Sequence, residues 1–109
     1  MGDEKPVIMV VTAAITDSEA YASYMKALVG SGLFARYGGV PLATGAVSDT
    51  LEGDYRPGEI TALVEFASRE AAQAFWDCAE YREIARLRKT AGAFRVGLWR
   101  KFKAPAEAA

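Results

Sequence analysis

The sequence predicts an α+β fold, a βαββαβ chain with one four-stranded antiparallel sheet and its helices on a single face. Three observations lead there. Val7 to Ala13 is a continuous apolar run rich in β-branched residues, and apolar residues alternate over 60–66 and 94–102 with few exceptions. Between these strands, apolar residues recur every three to four positions in two stretches, near 17–37 and 68–88, as on one face of a helix.

The first run, Val7 to Ala13, is too short for a helix and has no polar alternation, so it predicts a central strand covered on both faces. Thr16 followed by Glu19 has the spacing of a capping box, which starts the first helix near Asp17. Tyr21, Tyr24, Met25 and Leu28 form its buried stripe. Gly30 and Gly32 weaken or end it, the pattern resumes through Leu33 and Phe34 to Tyr37, and Gly38-Gly39 stops it. Val40 to Val47 reads as a second strand, and Pro41 with Gly45 inside it predicts an edge position or a bulge. A turn-rich connection, Asp49 to Glu59, leads to the third strand, with Ile60, Ala62, Val64 and Phe66 on one face and Thr61, Leu63 and Glu65 on the other. Ser68 can cap a second helix with Ala71, Ala72, Phe75 and Trp76 inward. Asp77 with Glu80 predicts a second capping pair, so the helix breaks and restarts with Tyr81, Ile84, Ala85 and Arg88 inward. The last strand alternates Phe94, Val96, Leu98 and Phe102 against Arg95, Gly97, Trp99 and Lys101.

Two strand-helix-strand units sharing one sheet make the ferredoxin-like arrangement. We expect one such domain over residues 1–109, with an ordered core of about 6–103 and a frayed tail at 104–109. Its helices cover one sheet face only. The other carries part of the first strand with Leu63 and Trp99, and a second copy of the same sheet is the simplest cover, which predicts a homodimer.

Composition narrows the function. Thirteen basic against fourteen acidic residues give a net charge of −1, too little field to hold nucleic acid. No run spans a membrane and no secretory leader is visible, so a cytoplasmic location is expected. The single Cys78 forms no disulfide within the chain. With no histidine, His-dependent nucleophile activation and the common zinc sites drop out, and a haem would need tyrosine, cysteine or methionine as its axial ligand. No metal constellation and no phosphate loop occurs, so no cofactor is expected.

Several pieces occur together: Tyr21 and Tyr24, Tyr37-Gly38-Gly39, Leu51-Glu52-Gly53-Asp54, Glu65-Phe66-Ala67-Ser68, Trp76-Asp77, Glu80-Tyr81-Arg82 and Arg86. In this order and spacing the chain resembles the domain-of-unknown-function 1330 family from about Val7 to Val96. The resemblance implies a dimeric α/β barrel, an assembly shared with small monooxygenases, haem-degrading enzymes and muconolactone isomerases, and it implies no established activity. The chain departs from the family pattern in the strand after the glycine pair, with Val40 and Thr44 where arginine is usual.

Glu65 shares the open face with Thr61 and Leu63, where burial under a partner would raise its pKa unless Arg95 or another strand arginine pairs with it. Glu52 sits in the long connection, able to serve as acid or base over a cleft or to bond backbone donors near Gly53. Arg36 and Tyr37 before the glycine pair offer a guanidinium fork for an anion, or a helix end that complements its own dipole. Tyr24, Trp76 and Tyr81 can line an apolar ligand pocket or simply fill the core. Arg86 can turn inward to Glu65 or Glu52, whereas Arg82, Arg88 and Lys89 read chiefly as a solvated face. Together these predict a pocket between sheet and helices, or at the dimer edge, for a small organic molecule. Glu52 or Glu65 with a tyrosine and an arginine would supply cofactor-independent acid-base or oxygen chemistry. The alternative is a non-catalytic dimerisation or regulatory ligand-binding module.

Overall fold

The computed structural model describes residues 5–103, and the tail expected at 104–109 lies outside them. Its elements run β1 (Val7–Ile15), α1 (Ser18–Ser31), α2 (Leu33–Tyr37), β2 (Val40–Gly45), β3 (Glu59–Phe66), α3 (Arg69–Asp77), α4 (Ala79–Ala85), a 3-10 turn (Arg86–Arg88) and β4 (Gly92–Arg100). The sheet order is β2-β3-β1-β4 and every neighbouring pair is antiparallel. This is the ferredoxin-like topology.

β1 is central, as its apolar run predicts, and its alternation separates two faces. Val7, Met9 and Ala13 are buried with Val64 and Phe66 of β3 beneath the helices. Ile8 and Val10 on the opposite face are half-buried, and Thr12 and Ala14 are exposed. The helices therefore shield only one side of the sheet. From α1, Tyr24 and Leu28 enter that core, and from α3 and α4 come Ala72, Phe75 and Tyr81. Phe66, Phe75 and Leu33 are the largest fully buried side chains.

Proline 41 finds the place its chemistry requires. β2 pairs with β3 alone, and the register shifts between Pro41 and Ala43, so the strand is both an edge and bulged at Leu42. β2 ends at Gly45, two residues earlier than expected. β4 ends at Arg100 rather than Phe102 because β1 offers no further partner: Lys101 N–H makes a last bond to Pro6 O at 3.0 Å, leaving Phe102 exposed.

Two helix starts differ from expectation. Asp17, not Thr16, caps α1: its Oδ1 accepts from Glu19 N–H and Ala20 N–H, both at 3.1 Å. Thr16 is still tied to the β4 side, its backbone N–H bonding Ala91 O at 2.8 Å and its hydroxyl donating to the same oxygen at 3.4 Å. α1 begins at Ser18, so Asp17 and not Thr16 stands at the cap position. Likewise Cys78, not Asp77, caps α4, with Sγ accepting Tyr81 N–H at 3.3 Å. Asp77 closes α3 and accepts from Gln73 Nε2 at 3.1 Å, so it stays inside the preceding helix. Ser68 caps α3 as expected, its Oγ accepting Ala71 N–H at 3.1 Å.

The glycine pair ends α2 for a physical reason. Gly38 adopts φ 76°, the left-handed conformation that closes a helix, and Gly39 N–H bonds Phe34 O at 2.7 Å. A Cβ on Gly39 would lie 2.8 Å from the Phe66 ring, so a side chain there would drive into the core.

Candidate ligand-binding site

Between α1 and the sheet lies a cavity of about 440 Å³. That is within the usual size of small-molecule sites. Met9, Val11, Ala62 and Val64 supply its sheet wall, and Tyr21, Tyr24, Met25 and Leu28 its α1 wall. Trp76, Phe75, Tyr81 and Phe94 line it as well. Its lining includes the exposed Val29, Pro41, Ala43 and Thr44, so it opens along the β2 edge. The helix packing explains the gap: β2 is fully exposed save Gly45, and α1 meets the 3-10 turn and α4 rather than the edge strand.

Besides Tyr21, Thr44 and the Trp76 indole, the polar groups lining this apolar space include a pair of phenols. Tyr24 and Tyr81 hydroxyls lie 2.9 Å apart, both residues buried. Two hydroxyls carry two protons and this contact uses one, so one O–H remains to be donated elsewhere. Burial foremost, then the neighbouring Tyr81, pushes the Tyr24 phenol far above its ordinary value, against a smaller opposing pull from Arg88. Tyr24 is therefore a proton holder at neutral pH and no base.

That shift has a testable consequence. The folded state holds the Tyr24 proton more tightly than the unfolded chain, whose phenol titrates near 10, so the stabilisation is complete below about pH 10 and is lost as pH rises beyond it. One proton changes the slope by about 1.4 kcal/mol per pH unit. Urea melts at pH 9, 10 and 11 are expected to show Tyr24→Phe losing about 1.4 kcal/mol less than the wild type over that whole span, most of it between pH 10 and 11; equal losses would contradict the assignment.

The eight residues singled out from the sequence separate into two groups. Tyr24, Trp76 and Tyr81 meet at the cavity. Arg36, Tyr37, Arg86, Glu52 and Glu65 do not border it. Arg36 gives its guanidinium fork to Glu80, with Nη2 3.2 Å from Oε2, and that bond holds the Glu80 carboxyl below its usual range. The anion fork expected there is already filled. Tyr37 packs edge-on to Phe75, ring centres 6.3 Å apart, and the neighbouring Cys78 thiol raises its phenol. Arg86 pairs with Glu83 at 3.4 Å on the exposed surface, not inward with Glu65 or Glu52, because the 3-10 turn carries it to the solvent side. Glu65 is on the open face as expected, but Lys101 rather than Arg95 pairs with it, at 3.1 Å. Arg95 stands two β1 rows away, opposite Thr12, whereas Glu65 stands opposite Ile8. Glu52 lies exposed in the long connection, away from the cavity.

Arg88, inward by helical spacing and solvated by its place in the basic cluster, does some of each: it is half-buried, its guanidinium carbon 4.7 Å from the Phe94 ring centre, 5.7 Å from Trp76 and 5.8 Å from Tyr24.

The model of a family described as a domain of unknown function (DUF1330) matches residues 6–101. The chain belongs to the DUF1330 family. No curated protein matches it. A solved protein of unknown function from Rhodopseudomonas palustris is 24% identical, with a TM-score of 0.72 over 93% of this chain and 85% of that one. SnoaB, a cofactor-independent oxygenase from Streptomyces nogalater, is 12% identical with a TM-score of 0.65, over 94% of this chain and 98% of its own. A dimeric ferredoxin-like protein of unknown function from Thermobifida fusca is 14% identical with a TM-score of 0.65, over 91% and 93%. At these identities the likeness is one of fold, so this DUF1330 chain shares the scaffold of oxygenases and of uncharacterised proteins alike. Among its described residues no cluster of His, Cys, Asp or Glu is placed to hold a metal ion, and no helix is long and apolar enough to cross a membrane.

Proposed function

We propose that this protein is a homodimeric binding module for a small, planar, largely apolar organic molecule, held between α1 and the sheet. The observation that carries this reading is the 440 Å³ cavity with aromatic walls and one phenol pair. Protein interiors pack densely, and a void forfeits the contacts of its lining. A space this large in a small core is better explained by a ligand than by poor packing. Oxygen or acid-base chemistry would require a group that takes a proton from the substrate. No carboxylate borders the cavity among the described residues, and Tyr24 holds its own proton, which favours binding over catalysis.

Dimerisation is the second part of the reading. Val40, Glu65, Ile8 and Trp99 form one row across the uncovered face, and Ala43, Leu63, Val10 and Gly97 the next. Trp99 lies over Gly97, where a Cβ would come within 2.8 Å of its ring, so the indole spreads an apolar plate over the sheet. The dimeric Thermobifida fusca protein of the same fold supports pairing, and the half-buried apolar face is where our reading puts it.

The test uses 2-naphthol as probe. At a hundredfold excess over its Kd it should stabilise the protein by about 2.7 kcal/mol, raising Tm by roughly 10 °C. Ala62→Phe, which puts a ring into the sheet wall, is expected to abolish that rise while the ligand-free protein melts no lower. A rise undiminished in Ala62→Phe would place the probe elsewhere and overturn the reading.

A further inference from the structure

No charged side chain lines the cavity among the described residues, but two guanidiniums, those of Arg88 and Arg82, rest against the aromatic rings that do. Arg88 has no carboxylate within ion-pair distance among the described residues, although its neighbour Arg86 pairs with Glu83 and Arg36 pairs with Glu80. Aromatic faces hold it instead: Phe94, Trp76 and Tyr24, all three of which line the cavity. Arg82 stands over Trp76 at 4.8 Å and over Tyr81 at 5.5 Å, a second guanidinium against the same wall. A guanidinium lying over a ring face can keep its N–H donors directed past the ring and open to an acceptor.

The phenol pair adds a donor in the same quarter, since one of its two protons is left over. Among the described residues no carboxylate, which would demand a donor from the ligand, borders the cavity, and much of its wall is aromatic. We propose that the ligand of this cavity is an aromatic anion, its charged oxygen met by the Arg88 guanidinium and the spare phenol proton of the Tyr24–Tyr81 pair. This deepens the binding reading above and rests on it. The guanidinium reaches the ligand by turning on its long stem from the ring stack toward the cavity, while the rings stay in place. Charge-assisted hydrogen bonds of this kind are stronger than neutral ones, so the acid form of an otherwise identical ligand is discriminated.

The experiment compares 2-naphthoate with 2-naphthamide, the same ring with and without the charge, by isothermal titration calorimetry of the full chain at pH 7. The expected result is naphthoate binding at least about tenfold tighter than the amide. Arg88→Gln should bring the ratio near one by weakening naphthoate alone, and Arg88→Lys, which keeps the charge without the fork, should retain part of it. Tyr81→Phe should weaken naphthoate with the amide less affected. Equal binding of the two probes by the wild type, or an unchanged ratio in Arg88→Gln, overturns the anion proposal and leaves the cavity reading standing. Binding of neither probe overturns both. The wild-type ratio decides the matter even if a variant fails to fold.

Discussion

Phe75→Ala is expected to destabilise the protein by about 3–5 kcal/mol, the range for deleting a buried aromatic ring. Phe75 sits at the hub of the core: its ring centre lies 4.7 Å from Tyr81, 5.1 Å from Phe34 and 5.5 Å from Phe66. It is 2% exposed and also borders the ligand cavity. Truncation would merge the space it leaves with a void already present, so collapse of neighbouring side chains can recover little. Small domains have only about 5–15 kcal/mol of stability in all, so the variant should sit near the edge of folding. Urea denaturation at pH 7 checks it, with Phe75→Leu as a milder comparison. A loss under 1 kcal/mol would mean that the rings do not form the stack described.

Leu63→Asp is expected to convert the proposed dimer to a monomer while leaving the fold intact. Leu63 is half-buried on the uncovered face beside Val10 and Ala43, remote from the helix-facing core of Val64 and Phe66. In a symmetric pairing each substitution enters the interface twice, and a buried carboxylate without a partner costs several kcal/mol. The dissociation constant should therefore rise by at least about a thousandfold. Sedimentation velocity at micromolar concentration reads the outcome directly, and Trp99, 59% exposed in the single chain, should shift its emission to the red on dissociation. A wild-type protein that sediments as one subunit would remove the dimer from the proposal.

The candidate site was legible in its ingredients more than in its assembly. Tyr24, Trp76 and Tyr81 announce themselves by helical spacing, which already places them inward. Arg36 carries no such signal about its partner, because Glu80 lies 44 positions away and is brought close only by the packing of α2 against α3 and α4. Glu65 was correctly placed on the open face, yet its partner depends on strand register: Lys101 follows the last β4 pair, and Arg95 stands too far along the ladder. Glu52 had only its loop to recommend it, and a loop's composition does not say which way it folds.

Helix starts teach the same lesson at shorter range. Thr16 and Asp17 are both competent caps, and so are Asp77 and Cys78 once a thiol can accept a hydrogen bond. In each case the cap is the extended residue standing immediately before the first helical one, Asp17 before Ser18 and Cys78 before Ala79.

By itself the sequence determined the order of elements, the central place of β1, the edge character of β2 and the two-faced sheet, because hydrophobic period, glycine and proline act through neighbours along the chain. Only the tertiary structure decided that Tyr24 meets Tyr81 across 57 residues, that Arg88 rests on three rings, and that α1 stands far enough from β2 to leave a cavity. Those contacts depend on how far helices slide and tilt over the sheet, and that is set by the volumes of side chains packed from distant segments, which no local spacing records.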